Sequence, residues 1–340
     1  MNKTVYITGA AGLLGSDLIR LFLLKGWQVK GCDNLMGGLE SNLEKYLPYI
    51  DYKTFDIRDY DQLKNHMEGS NLVLHCAALA YEGLSVFSPK TITENIVGGT
   101  LSVASSCISN NVEKLINFSS MARYGSQTPP FTENLPRKPV DPYGLAKVQA
   151  EEQLELLSDL HSLNFLTVVP HNVIGIGQRF IDPFRNVVAI MINRILQKKP
   201  VVIYGDGTQK RSFSNVMDCS DTIYRLAISD RDLIKQIYNI GPDDNEITIN
   251  ELAHKIGEFC GVFPEIQYYP DRPAEVKNAW CSSEKIRNDF NYNTARSMDQ
   301  TIKEMVNWIS SIGPKPFNYD ILPIEIINDK TPKTWTERLI

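Results

Sequence analysis

Val5-Tyr6-Ile7-Thr8-Gly9-Ala10-Ala11-Gly12-Leu13-Leu14-Gly15 is the stretch that decides the fold. A short apolar run leads into three glycines spaced three apart, and an amphipathic stretch from Ser16 to Lys25 follows. Strand, glycine turn and helix in that order are what a dinucleotide-binding unit requires. Gly9 makes the tight turn, Gly12 admits a pyrophosphate close to the backbone, and Gly15 lets the helix pack on the strand. The free N–H groups at the start of the helix then face the phosphates, and Leu13 and Leu14 are carried to the cofactor with them.

Further along, Trp27-Gln28-Val29-Lys30-Gly31-Cys32-Asp33 reads as a second strand ending in an acid 18 residues after Gly15. A carboxylate there accepts hydrogen bonds from the adenosine ribose and repels a 2′-phosphate, so NAD is expected rather than NADP. A third strand, Tyr52 to Phe55, ends at Asp56-Ile57, where an acceptor suits the adenine amino group. The fourth, Asn71 to Cys76, runs into Ala77-Ala78, small enough for backbone to lie against the cofactor. His75, a lone histidine at a strand end, is read as structural. Asn95 opens a helix, Lys114 to Phe118 is a fifth strand ending at Ser119-Ser120, and Phe165 to Val169 is a sixth. The alternation predicts an α/β fold, a Rossmann-type doubly wound parallel sheet covered on both faces. Ligands in such sheets bind beyond the carboxyl ends of the strands, so the glycine loop and Ser120 should converge there.

Tyr143-Gly144-Leu145-Ala146-Lys147 should join them. Residues four apart share a helix face. An ammonium one turn from a phenol is expected to favour the phenolate and let Tyr143 exchange a proton.

The 340-residue length allows one large domain or two intimately packed ones. With 35 Lys and Arg against 40 Asp and Glu, a net charge of −5 argues against a nucleic-acid or membrane-docking surface. An anionic ligand would need locally placed arginines. Met1-Asn2-Lys3 leads straight into a strand, and no apolar run reaches spanning length, so a cytoplasmic protein is expected. The six cysteines are scattered singly, which reads as buried free thiols with no metal site.

Taken together, Thr8-Gly9-x-x-Gly12-x-x-Gly15, Asp33-Asn34, Asp56-Ile57-Arg58, His75-Cys76-Ala77-Ala78, Ser119-Ser120-Met121-Ala122-Arg123-Tyr124-Gly125 and Tyr143-x-x-x-Lys147 resemble the extended short-chain dehydrogenase/reductase family, in its nucleotide-sugar epimerase/dehydratase branch. The resemblance runs from residue 4 to about residue 290. It implies that Ser120 is the catalytic serine, Tyr143 the general acid/base, and Lys147 the residue that holds the nicotinamide ribose and lowers the Tyr143 pKa. It adds Asn34, and Asn95 as support for the active site. Asn172 and Asn186 then touch the substrate diphosphate, Tyr204 lies near the UDP base, Arg211 and Arg272 pair with phosphates, and Glu275 accepts from the ribose. A diphosphate needs forked donors, and arginine supplies them bidentately.

The same resemblance implies a shared first step: Tyr143 takes the proton of the sugar C4 hydroxyl while NAD accepts the hydride, giving a 4-keto sugar. Dehydratases of the branch place acid/base residues straight after the catalytic serine, where this chain has Met121 and Ala122. That leaves 4-epimerisation of a UDP-hexose as the expected reaction, with NAD regenerated each cycle. Ala279, at a position that gates bulky 2-substituents in the family, would admit an N-acetyl group. Arg179 lies where uronate epimerases carry an arginine for the substrate carboxylate, so UDP-glucuronate 4-epimerisation stays open, as does a dehydratase or decarboxylase using other residues. Ala80 replaces a lysine common near the pyrophosphate in hexose 4-epimerases. The domains expected are 1–172 for NAD, with returning segments near 210–241, and a smaller, discontinuous α/β substrate domain over 173–312. Residues 313–340 form an extension past the resemblance that wraps the domain or a neighbouring subunit. Relatives dimerise through the helices that carry Asn95 and Tyr143, so a homodimer is expected.

Overall fold

The computed structural model describes residues 3–340. Its centre is a seven-stranded, all-parallel sheet built from β1 (Thr4–Thr8), β2 (Gln28–Asp33), β3 (Asp51–Thr54), β4 (Leu72–His75), β5 (Lys114–Phe118), β6 (Phe165–Pro170) and a strand at Ile237–Ile240. The spatial order is Ile237–Ile240, β6, β5, β4, β1, β2, β3. Chain order reverses direction between β1 and β4, and a crevice opens at the carboxyl ends where it does. Every residue of β1 and β4 is buried, as expected of strands covered on both faces.

One face is covered by the helices Leu13–Leu24, Val216–Ala227 and Glu284–Phe290, which pack Leu18, Phe22, Ile223, Leu226 and Ile286 against Val5, Ile7, Leu74 and Ile116. The opposite face carries Tyr60–Met67, Gly99–Ser109 and Pro142–His161, with Leu63, Val103, Cys107 and Leu154 against Tyr6, Val73 and Leu115. The helix Leu13–Leu24 begins at Leu13 rather than Ser16. Gly12 is its N-cap and donates its own N–H to the Gly9 carbonyl at 3.0 Å, so the last glycine already lies inside the helix.

A second apolar core joins the helices Val187–Leu196, Ile249–Phe259 and Met298–Ile312 to the strand Val201–Tyr204, which pairs in parallel with Ile266–Tyr269. The chain crosses between the two cores more often than its sequence suggests. Ile237–Ile240 becomes the edge strand of the large sheet beside β6, and Glu284–Phe290 returns to that sheet although it follows most of the second core in sequence.

Residues 313–340 lie on their own chain. Leu322, Trp335 and Ile340 are buried with Tyr81, Phe87, Tyr143 and Phe184, and the Trp335 ring meets Phe184 edge-on at 5.4 Å. Ser88 Oγ donates to the Pro323 carbonyl at 2.6 Å, and the Glu325 carboxylate accepts from the Lys90 and Thr91 amides at 3.0 and 2.9 Å. Among the described residues no helix is long and apolar enough to cross a membrane, and no group of His, Cys, Asp and Glu is placed to hold a metal. All six cysteines are free.

Candidate active site

A cavity of about 490 Å³ opens at the carboxyl edge of the sheet and extends over the second core. Its floor is the glycine loop. Gly9 has φ +67°, and a Cβ there would lie 2.8 Å from the Ala77 nitrogen. A Cβ on Gly15 would lie 2.1 Å from the Gly9 carbonyl oxygen. Glycine is therefore required at both by contact with backbone, and the loop can lie flat against the β4 exit. Asp33 is buried at the end of β2, where its carboxylate accepts from the Ala11 amide at 3.0 Å and the Leu35 amide at 2.7 Å. Burial raises its pKa above the usual carboxylate value, and those amides oppose the rise. Asn95, on a single wide helical turn at Glu94–Gly98, accepts from the Leu79 amide at 3.0 Å and so fixes the segment that contains Ala77 and Ala78.

Of the residues expected at the cofactor, Gly9, Gly12, Leu13, Leu14, Gly15, Asp33, Asn34, Ile57, Ala77, Ala78, Asn95, Tyr143 and Lys147 line this cavity. Asp56 is outside the wall. Its carboxylate is taken up by the Asn34 side chain at 2.8 Å and by the Arg58 amide and Nε at 2.9 Å, so it positions Asn34. A glycine floor with no room for side chains, a helix N-terminus and a carboxylate at the end of β2 fit an NAD molecule laid across the switch point.

Tyr143 and Lys147 come from the helix Pro142–His161. Asp141 caps it, accepting from the Gly144 amide at 2.9 Å, and Pro142 occupies the first helical position, where it forfeits no hydrogen bond. The Tyr143 amide donates to Ser85 Oγ at 3.1 Å. The phenol is 6% exposed. Lys147 Nζ donates to the Phe118 carbonyl at 2.7 Å and lies 6.0 Å from the Tyr143 ring centre. The electrostatic balance differs from the sequence expectation. Burial pushes the phenol up to about 12, with only the neighbouring Ser120 hydroxyl and Arg185 opposing it, while burial brings Lys147 down to about 8. The ammonium is spent on the end of β5, and dehydration dominates at both groups.

Four residues beyond Lys147 on the same helix, Glu151 is clasped by Arg123 Nη2 at 2.9 Å, by Arg137 Nε at 3.2 Å and by the hydroxyl of Ser119, beside Ser120. Arg123 and Glu151 are each 1% exposed. This buried cluster ties the helix to the β5 exit and so fixes Tyr143 relative to Ser120. Met121 and Ala122, at the positions that would carry dehydratase acids, lie in a short turn and are buried. His75 is held by Thr8 Oγ1 at 2.9 Å and Thr100 Oγ1 at 3.0 Å, a structural histidine.

Ser120, beside Tyr143, also lines the cavity, as do Asn172, Arg179, Asn186, Tyr204, Arg211, Arg272 and Glu275. Asn172 and Asn186 have φ of +29° and +59°, and the Asn186 side chain caps the helix Val187–Leu196. Arg211 Nη2 reaches Glu275 Oε1 at 3.1 Å, and Arg272 Nε and Nη2 reach Oε2 at 3.0 and 2.6 Å. The Arg272 guanidinium also stacks 4.5 Å from the Tyr204 ring centre. Glu275 thus holds two forked cations side by side. Arg179 is turned to another task, its Nη1 donating to the carbonyls of Leu35, Met36 and Gly38. Ala279 is buried with Met121, Tyr124 and Phe131 and does not form part of the wall.

Sequence reading missed several residues of the cavity: Glu82, Asp141 and Arg185, and Ile340 from the far end of the chain. Tyr204 Oη meets Thr334 Oγ1 at 2.5 Å, so residues 313–340 complete the rim. Asp141 had a readable signal, an acid immediately before Pro142 at a helix start. The others enter through long-range packing.

Residues 5–241 match the model of the NAD dependent epimerase/dehydratase family. The UDP-glucuronate 4-epimerase of Thermodesulfobacterium geofontis is 29% identical over 314 residues, covering 89% of this chain and 94% of that protein. The UDP-glucose 4-epimerase of Thermotoga maritima, solved with UDP-glucose, superposes with a TM-score of 0.84 at 26% identity, over 91% of this chain and 99% of that one. The Thermus thermophilus UDP-glucose 4-epimerase, solved with NAD, gives 0.82 at 27% identity, over 90% and 99%. With the glycine floor, the Tyr143–Lys147 helix and the switch-point cavity all in one chain, the protein belongs to the NAD dependent epimerase/dehydratase family.

Proposed function

We propose that the protein is a UDP-hexose 4-epimerase. One observation carries the reading: Ser120, Tyr143 and Lys147 meet in one cavity at the sheet's carboxyl edge, while the positions following Ser120 hold buried Met121 and Ala122, which move no protons. Several similar proteins are named 4-epimerases of UDP-sugars, which supports the same reaction class.

Gly9, Gly12, Gly15 and the first amides of the helix Leu13–Leu24 would hold the pyrophosphate of NAD, Asp33 its adenosine ribose and Lys147 the nicotinamide ribose. Bound there, NAD supplies a reversible two-electron oxidation at the sugar C4. Tyr143 removes the C4 hydroxyl proton and later returns it, and Ser120 holds the same oxygen. Arg211 and Arg272 bind the diphosphate, their fork pre-aligned by Glu275, and Tyr204 lies along the base. Asn172 and Asn186 complete the diphosphate site. Residues 1–172 with their returning segments form the NAD domain, and 173–312 supply the UDP-sugar site.

A uronate substrate is the second reading. Arg185 lines the cavity near Tyr143, and Thermodesulfobacterium geofontis carries a UDP-glucuronate 4-epimerase similar to this chain. Incubation with UDP-glucose, UDP-N-acetylglucosamine and UDP-glucuronate, with products read by NMR, tests both. A C4 epimer of a neutral sugar supports the proposal, exclusive turnover of the uronate selects the second reading, and 4-keto-6-deoxy or pentose products overturn the reaction class.

The protein acts in the cytoplasm as a homodimer on this reading. Leu145, Leu156 and Leu160 form an exposed stripe on the helix Pro142–His161, 48%, 53% and 66% exposed, which a second copy would cover. Light scattering on the purified protein measures the mass directly, and a monomer would refute the dimer.

A further inference from the structure

We propose that Glu82 reads the sugar: its carboxylate accepts hydrogen bonds from a neutral sugar ring and turns away a sugar that carries a carboxylate of its own. This rests on the UDP-sugar reading and selects a substrate within it.

Glu82 opens the short helix Glu82–Ser85, and three contacts fix where it stands. Its carbonyl accepts from Ser85 Oγ at 2.6 Å, and that serine hydroxyl oxygen accepts in turn from the Tyr143 amide at 3.1 Å, so the turn is fastened to the start of the Tyr143 helix. The next residue, Gly83, lies against Arg272, whose Nη1 would be 3.0 Å from a Cβ placed there. Glu82 is therefore held between the proton-transfer residue and the diphosphate arginines. In a nucleoside diphosphate sugar, the sugar occupies that interval.

Its side chain is accessible and lines the cavity. Among the described residues no cation pairs with its carboxylate. The arginines nearest in charge, Arg211 and Arg272, are both engaged by Glu275. Arg185 faces the buried Asp182 at 3.7 Å. Partial loss of water inside the cavity and the neighbouring Asp141 and Glu275 carboxylates raise the Glu82 pKa above the usual carboxylate value, against the pull of Arg211 and Arg272, and at pH 8 the exposed carboxylate is ionised. An unpaired carboxylate facing a binding cavity accepts strongly from hydroxyl or amide donors. A second carboxylate brought into the same space meets like charge at short range, which disfavours binding. Met121 and Ala122 offer no such selection, and Ala279 lies off the wall.

The test is isothermal calorimetry at pH 8 on NAD-loaded protein, with UDP, UDP-glucose and UDP-glucuronate as probes, for wild type, Glu82→Gln and Glu82→Ala. The expected result is that wild type binds UDP-glucuronate about tenfold more weakly than UDP-glucose, and that both variants erase most of that gap while leaving UDP affinity unchanged. Normal UDP binding with the same gap in the variants, or a wild-type preference for UDP-glucuronate, would overturn the role of Glu82 alone. No binding of UDP by wild type would overturn the UDP-sugar reading and Glu82 with it.

Discussion

Replacing Gly15 by Ala adds a single methyl group, yet it should disable cofactor binding. The new Cβ would sit 2.1 Å from the Gly9 carbonyl oxygen, whereas ordinary contact begins at 3.4 Å. Both partners are backbone, so the clash cannot be relieved by a side-chain rotation. The Gly9 peptide and the helix start have to separate by about 1.3 Å, the difference between the two distances. Gly9 cannot yield on its far side, because the Ala77 nitrogen lies 2.8 Å from where its own Cβ would be. The displacement therefore falls on the amides that face the pyrophosphate. A misplacement of about 1 Å costs about 100-fold, roughly 2.7 kcal/mol of binding. NAD retained through purification and the NAD dissociation constant by calorimetry measure the loss, with circular dichroism to establish that the variant is folded. A folded Gly15→Ala protein that binds NAD as wild type does would refute the placement of the cofactor on this loop.

Three further outcomes are expected. Tyr143→Phe should lower kcat by about 10²- to 10⁴-fold while the UDP-glucose dissociation constant changes less than threefold, measured by coupled assay and calorimetry; an active variant would remove Tyr143 from proton transfer. Glu151→Gln leaves Arg123 buried without its counter-charge and should cost about 3–5 kcal/mol in denaturant unfolding, and a change below about 1 kcal/mol would show the cluster to be dispensable. Lys147, brought down to about 8 by burial, carries its charge below that pH and loses it above. Activity should accordingly fall on the alkaline side near pH 8, and Lys147→Arg should move that limb upward in a pH–rate profile.

The sheet was legible because its strands and glycines are local patterns: Val5 to Gly15 and Trp27 to Asp33 specify a βα unit with no help from elsewhere. Of the site residues expected from those motifs and the resemblance they carry, all but Asp56 and Ala279 line the cavity. The errors have a common physical origin. Asp56 carries the right charge at the right strand end, but its carboxylate is consumed by Asn34 and Arg58. The Lys147 ammonium is one turn from Tyr143 as the spacing says, yet the Phe118 carbonyl and loss of water set both pKa values. Arg179 is in the wall, but three loop carbonyls occupy one of its nitrogens. In each case residue type and position were readable and the competing partner was not. Residues 313–340 were unreadable for a different reason: Thr334 meets Tyr204 across 130 residues, with no motif to announce it.

The clasp on Glu151 bears on stereochemistry. Tyr143, Lys147 and Glu151 share one face of one helix, and the last is locked to the β5 exit by the Arg123 guanidinium and the Ser119 hydroxyl, with Arg137 alongside. The phenol is thus a stationary post. To invert a carbon, the ring must be offered from one side and then from the other, and if the protein's acid cannot travel, the pyranose has to tumble about its phosphate tether instead.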